Sequence, residues 1–297
     1  MKKIDAVILT EPRYINDAKE ADIHNVFIED HLVVEALIKK GYNAIRLSWD
    51  DTSFDWNQTK SIVFRSIWDY TYRFREFFEW LEKVSALTQL INSKELIYWN
   101  IDKHYLLDLK EKSINIPETY IIEKGHLQTL SAILNKLKWD EVVLKPCVSA
   151  GARHTYRFKS LEASKYESIF QKLIAEEAFI IQPFQKQVLT KGEVSIMMFN
   201  GVYSHAILKL AKPGDFRVQD DFGGTIHHYE PSDKEIDFAK RCIEACPELP
   251  TYARVDYFWD NDNELALAEL ELIEPELWFR ENKNAAELMA DGIIEKQ

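Results

Sequence analysis

Hydrophobic positions in the first hundred residues switch between two periods. "DAVILT" is a short apolar run of strand length, while "NVFIEDHLVVEALIKKG" repeats its apolar residues at helical spacing until Gly41. "NAIRLS", "SIVFR" and "TQLINS" read as further strands, with "FREFFEWLEKV" a helix between the last two. Such alternation predicts an α/β unit around a mostly parallel sheet. Function in these sheets sits on loops after strand C-termini, the position held by "FRSIWDYTYR".

The pattern then changes. "NIDKHYLLDLKEKSINIPETYII" supplies a helix and a strand, followed by the helix "HLQTLSAILNKLKW" and the strand–loop–strand "EVVLKPCVSAGARHTYRF". The helix "LEASKYESIFQKLIAE" and the strand "AFIIQPF" come next. From about residue 186 the strands lengthen and read antiparallel. "GEVSIMMFNGVYSHAILKLA" is a hairpin turned at Asn200 and Gly201, the helix "DKEIDFAKRCIEACP" follows, and "TYARVDYFWDNDNELALAELELIEP" is a last hairpin. The organisation expected is a Rossmann-like unit over residues 1–100 and two α+β pieces over 101–185 and 186–297.

Composition narrows the function classes. With 297 residues, 46% of them apolar, the chain has material for a sizeable core. A formal charge of −12 argues against non-specific binding to nucleic acid or to an anionic membrane, while leaving room for a local phosphate pocket. Cys147, Cys242 and Cys246 complete no zinc set and read as reduced thiols. The apolar run near the N-terminus ends too soon for a signal segment, and nothing approaches a membrane span. A soluble cytoplasmic protein is expected; an oligomer is left open.

The last hairpin carries the strongest chemical signal. In a regular strand Leu265, Leu267, Glu269 and Glu271 share one face of "ELALAELELIEP", and Ala266, Ala268, Leu270 and Leu272 the other. Two ionised carboxylates among apolar neighbours cost several kcal/mol of desolvation unless cations compensate. The preceding strand places Tyr252, Arg254, Asp256 and Phe258 on one face. If the "DNDN" turn closes symmetrically, Arg254 lies opposite Glu269 with Asp256 diagonal to it, and a one-residue change of register separates the two sets. Asp256, Glu269 and Glu271 together suit a hard divalent cation such as Mg²⁺. A solvent-facing charged ladder is the alternative.

Elsewhere, Lys145 ends a buried strand and precedes the small-residue loop Ser149, Ala150, Gly151, whose backbone N–H groups suit phosphate; a solvated strand-end lysine is the alternative. Gln182 and Phe184 end a strand where backbone can meet an adenine edge, and Glu193 opens the next strand as a candidate for ribose hydroxyls; an ordinary connection with a surface acid is the alternative. Arg65 and Asp69 of "RSIWDY" are candidate substrate contacts or a salt-linked pair. Glu274 and Glu276 either meet a cationic substrate amine or are solvated.

In this order the segments resemble the ATP-grasp superfamily over nearly the whole chain. The matching motifs are "NIDK", "LKP" with its loop, "QPF", "GE" and "RVD…ELEL". The "E-x-E-x-x-x-P" ending in Pro275 is similar to prokaryotic glutathione synthetase. "SIWDY", "GDFRVQDDFGGTIHHYEP" and "LELIEPEL" are similar to the branch with O-ureidoserine cyclo-ligase of the cycloserine pathway. The resemblance implies an ATP-grasp fold: two α+β subdomains clasping ATP behind an N-terminal pre-ATP-grasp domain. It also implies that Lys103 and Lys145, with the 149–151 loop, contact ATP phosphates, that Gln182 and Phe184 line the adenine pocket, and that Glu193 meets the ribose. Asp256, Glu269 and Glu271 would hold two Mg²⁺ ions (Mn²⁺ would suit the same oxygens). Arg254 and Arg217 would steady the transferred phosphoryl group, with Gly223 and Gly224 near the substrate. The implied reaction is ADP-forming ligation of a small carboxylate to an amine through an acyl phosphate; a nucleotide-binding protein without ligase activity is the alternative.

Overall fold

The structure is a computed structural model that describes residues 2–218 and 222–297. Three sheets follow one another along the chain. The first is parallel, in the order β2-β1-β3-β4, from β1 (Ile4–Thr10), β2 (Ala44–Ser48), β3 (Thr59–Ser66) and β4 (Gln89–Ile91). Its helices are α1 (Ala21–Lys39) and α2 (Phe74–Ser85). Helix α1 buries Val33, Val34, Ala36 and Leu37 along one stripe and stops before Gly41, whose φ of 88° is the left-handed geometry that closes helices.

Two short helices, α3 (Lys94–Asn100) and α4 (Tyr105–Glu111), lead to the middle sheet. The segment "KELIYWN" is not among the helices read from the sequence; Ser93 caps it by accepting from the Leu96 N–H. The middle sheet is antiparallel, in the order β5-β8-β6-β7, from β5 (Tyr120–Ile122), β6 (Glu141–Pro146), β7 (Tyr156–Lys159) and β8 (Phe179–Pro183). Helices α5 (Leu130–Leu137) and α6 (Ala163–Ile174) pack on it around Leu144, Phe158, Phe170 and Phe179.

After the short α7 (Val188–Lys191), the third sheet is antiparallel, in the order β11-β10-β9-β12-β13. Its strands are β9 (Glu193–Phe199), β10 (Val202–Leu210), β11 (Thr225–Tyr229), β12 (Tyr252–Trp259) and β13 (Leu265–Glu271). Asn200 and Gly201 make the β9–β10 turn with φ of 47° and 81°, the positive values that a tight hairpin turn requires. Helix α8 (Asp233–Glu244) starts from a reciprocal Ser232–Glu235 cap and covers one sheet face with Phe238, Cys242 and Ile243. Among the described residues no helix is long and apolar enough to cross a membrane.

The last helix, α9 (Ala285–Glu295), has no counterpart in the sequence reading. Its Ala286, Met289, Ala290 and Ile293 join Val33 and Leu37 of α1 and Met197 and Phe199 of β9 in one core. The first and third sheets therefore share packed interior, while the middle sheet keeps a core of its own.

Candidate active site

The β12–β13 pair builds the site through an irregularity. Trp259 pairs with Leu265, Phe258 with Ala266 and Tyr257 with Leu267, but the next pair is Asp256 with Glu269, leaving Ala268 unmatched. The extra residue is a β-bulge, and it inverts the facing of everything beyond it. Leu265 and Leu267 therefore point into the core beside Tyr257, Leu270 and Leu272, while Glu269 and Glu271 turn to the opposite side. This corrects the expected face shared by leucines and acids. It also corrects the register: Arg254 lies opposite Glu271 and Asp256 opposite Glu269. The loop absorbs one residue more than "DNDN", with Asp260 N–H donating to the Glu264 carbonyl at 2.8 Å, and the bulge absorbs a second. Two single displacements restore the parity that one would have broken.

Neighbouring strands extend this face. Ser195 of β9 pairs with Asp256, and Lys209 of β10 pairs with Glu193. Asp256 accepts from Ser195 Oγ at 2.6 Å, from Arg254 Nε at 2.9 Å and from Lys209 Nζ at 3.2 Å. Lys209 also pairs with Glu193 at 2.6 Å, and Arg254 also contacts Glu271. Burial opposes ionisation of Asp256, but Arg254 and Lys209 outweigh it and hold the carboxyl below its ordinary range. Burial pushes the Glu271 carboxyl well up, and Arg254 offsets this in part.

Two lysines come from elsewhere. Lys103, between α3 and α4, is anchored by its N–H to the Cys147 carbonyl at 3.0 Å; its ammonium reaches Glu269 at 2.9 Å and the Ser149 carbonyl at 3.0 Å. Lys145 sits on β6, where the strand alternates Leu144 into the middle core and Lys145 away from it. Burial pushes the Lys145 ammonium down, and it has no hydrogen-bond partner among the described residues. Glu269 meets the same burial penalty, yet Lys103 and Lys145 hold its carboxyl below the usual range.

These groups line a cavity of about 800 Å³ between the three sheets. Lys103, Lys145, Glu193, Arg254, Asp256, Glu269 and Glu271 all face it. So do Ser149, Ala150, Gly151, Gln182 and Phe184. Gln182 is oriented by donating to Thr119 Oγ1 at 2.8 Å, and the Arg157 guanidinium stacks on Phe184 at 3.7 Å. Arg217 borders the cavity, but its guanidinium is held by Asp215 at 2.7 Å and lies over Phe222. Asp69 borders it too, tied to Arg73 and to Trp49 Nε1, each at 2.8 Å.

Three expected residues are not brought to this cavity. Arg65 is 3% exposed and runs beneath the chain, donating to the Pro275 carbonyl at 2.7 Å, beside Glu29 and Asp30. It therefore pairs with neither the cavity nor Asp69. Gly223 and Gly224 lie outside the lining, and Gln219–Asp221 of the same stretch fall outside the described residues. Conversely, sequence reasoning missed Lys209. Its one signal was a lysine inside the apolar strand "HAILKLA". Asn100 gained a role as well: its amide accepts from Leu272 N–H at 3.0 Å and donates to the Leu270 carbonyl at 2.7 Å, fixing β13.

A divalent ion fits part of the acid set directly. The Glu269 and Glu271 side chains are 31% and 26% exposed toward the cavity, whereas Asp256 is 3% exposed with both oxygens taken. As it stands, Asp256 offers no free oxygen to an ion.

The chain is similar to known proteins in both sequence and fold. Residues 7–92 match the family model described as the N-terminal domain of D-cycloserine synthetase DcsG, and residues 105–249 that of the prokaryotic glutathione synthetase ATP-grasp domain. The chain is 28% identical to the cycloserine biosynthesis protein DcsG of Streptomyces lavendulae, across 89% of this chain and 92% of that protein. It superposes on the crystal structure of D-cycloserine synthetase DcsG with a TM-score of 0.84 at 26% identity, covering 98% and 99% of the two chains. The ATP-grasp ligase PsnB, complexed with a phosphomimetic precursor variant, Mg and ADP, shares the fold at a TM-score of 0.68 and 13% identity, over 100% of this chain and 99% of that one. The chain belongs to the ATP-grasp superfamily of ADP-forming ligases, in the branch that holds D-cycloserine synthetase.

Proposed function

We propose that this ligase phosphorylates the carboxylate of a small amino-acid-like substrate and joins the resulting acyl phosphate to a nitrogen nucleophile. The observation that carries the reading is the charge set on one wall. Glu193, Asp256, Glu269 and Glu271 face Lys103, Lys145, Lys209 and Arg254, so these eight side chains are formally balanced among themselves. Adding ATP, with about four negative charges, then calls for about two divalent cations, the two-metal arrangement of phosphoryl transfer. Mg²⁺ suits the oxygen-only donors, and Mn²⁺ is an acceptable substitute.

In this reading Glu269 and Glu271 hold the ions, with Asp256 behind them. Ions held there would supply charge neutralisation to the phosphates. Lys103 and Lys145 contact phosphates together with the backbone of the 149–151 loop. Gln182 and Phe184 face the adenine, and Glu193 offers its second oxygen to the ribose. Arg254 steadies the transferred group; Arg217 does so once released from Asp215. Neither serine nor cysteine is required as nucleophile, and the buried thiols of Cys147, Cys242 and Cys246 are pushed up by burial. Asp69 contributes to the substrate end. The likeness to D-cycloserine synthetase supports a ring-closing version in which carboxylate and nitrogen belong to one molecule. Dependence on ATP supports the cytoplasm as the compartment.

The test is release of ADP and phosphate over a panel of D- and L-amino acids and their ω-amino and aminooxy derivatives. Turnover with at least one member is expected. ATP binding without turnover across the panel would overturn the reading.

A further inference from the structure

Glu274 is an acid on the cavity wall that phosphate chemistry leaves unused. It follows β13, three residues past Glu271, and faces the cavity. The Tyr70 hydroxyl favours the charged form of its carboxyl, and Trp68 Nε1 donates to its backbone carbonyl at 3.0 Å. Both residues stand on the turn Trp68–Thr71 after β3, so the N-terminal unit holds Glu274 from two sides.

Its surroundings separate it from the other acids. Asp256 is tied to Arg254 and Lys209, Glu269 to Lys103, and Glu271 to Arg254. Glu274 has no ion-pair partner among the described residues; the Tyr70 hydroxyl favours its charged form instead. The charged groups that face it are Glu269 and Glu271 from β13 and Lys103 from the α3–α4 link, with Tyr70 and Tyr252 of β12 the neighbouring titratable hydroxyls. Burial first, then the charge of Glu269, pushes its carboxyl up to about 7. That suits a proton acceptor near neutrality.

We propose that Glu274 is the base of the ligation half-reaction, with Tyr70 as its positioning residue; this rests on the acyl-phosphate reading. The nitrogen lone pair forms the C–N bond to the acyl carbon. The C–O bond to phosphate breaks, and its electron pair leaves with inorganic phosphate. The N–H proton passes to a Glu274 oxygen and from there to solvent as products depart. Lys103 and Arg254 are cationic donors already paired with Glu269, Asp256 and Glu271, so neither can take that proton.

The experiment separates the two halves. Wild type, Glu274→Gln and Tyr70→Phe are given ATP, Mg²⁺ and the panel acid that supports turnover, with and without hydroxylamine. Hydroxylamine is largely unprotonated at neutral pH and traps an acyl phosphate as a hydroxamate without a protein base. Glu274→Gln is expected to form hydroxamate within ~3-fold of wild type while ligation falls ~100-fold or more, the contribution typical of a positioned base. Tyr70→Phe removes the hydroxyl that favours the carboxylate, so the rising limb of its ligation pH profile moves to higher pH. Ligation by Glu274→Gln at wild-type rates would overturn the proposal, as would equal loss of hydroxamate and ligation. A wild type that yields product but no hydroxamate would overturn the acyl-phosphate reading instead, and this proposal with it.

Discussion

Asp256 faces Glu269 across the last hairpin, although the residues beside that pair, Tyr257 and Leu267, face each other on the opposite side of the sheet. A regular ladder would have placed Glu269 among the leucines, at a desolvation cost of several kcal/mol. The bulge at Ala268 instead delivers both glutamates to the wall that Lys103, Lys209 and Arg254 occupy. Placement of the acids is thus a property of strand register, and their chemistry can be tested without disturbing it.

Glu269→Gln keeps the shape of the side chain and removes its charge. Turnover is expected to fall at least ~100-fold, because the loss concerns transition-state charge, and the thermal unfolding midpoint to fall as well, because buried Lys103 loses its ion-pair partner. A chelator should abolish ADP release from wild type, and Mg²⁺ or Mn²⁺ should restore it. ATP with Mg²⁺ should raise the wild-type midpoint and raise that of Glu269→Gln less. Near-normal turnover by the variant would remove Glu269 from the ion-binding set.

Lys209→Met tests the cation that sequence reasoning missed. The lysine is 4% exposed and serves two acids, Glu193 and Asp256. Removing one member of a buried ionic group leaves uncompensated charge, so the folded state should lose about 3–5 kcal/mol in urea titration. A loss below about 1 kcal/mol would show that the acids find other partners.

Glu11 gives a pH signature in the folded protein. Burial pushes its carboxyl up to about 7, and the Asp69 N–H, donating at 2.8 Å, offsets this in part. Between the ordinary glutamate value and that raised one, the unfolded chain has lost this proton and the folded chain still holds it. Stability therefore falls as pH rises through that window. Glu11→Gln should be more stable than wild type by roughly 1–3 kcal/mol at about pH 8 and little different at about pH 5. Equal midpoints at both pH values would contradict the assignment.

Asn100→Ala should cost about 2–3 kcal/mol, because it strips partners from the Leu270 carbonyl and the Leu272 N–H. Since β13 is an edge strand, no neighbouring strand can replace them. Denaturant unfolding measures the loss, and ATP affinity should weaken with it as Glu269 loses its fixed position.

Much of this was legible from pattern. Alternating periods gave the first sheet, and the turn formers Asn200 and Gly201 marked their hairpin. Arg254, Asp256, Glu269 and Glu271 were expected on one face, and they are. Their pairing was two residues out because neither the longer loop nor the bulge leaves a mark in local composition. Arg65 looked like a strand-end contact, yet Pro275, more than two hundred residues away, closes over it. Helix α9 escaped because its burial depends on α1 and β9, which no local window contains.

That α1–α9 core has a consequence for how the cavity walls are held. It packs the first and third sheets together, while the middle sheet has its own core and meets the others through Cys147, Ile180, Ile121, Ala178 and Val148. The segments around Glu11, Tyr70 and Glu274 all follow strands of the first and third sheets. The part of the cavity they line therefore rests on the α1–α9 core, while the part lined by Gln182 belongs to the middle sheet.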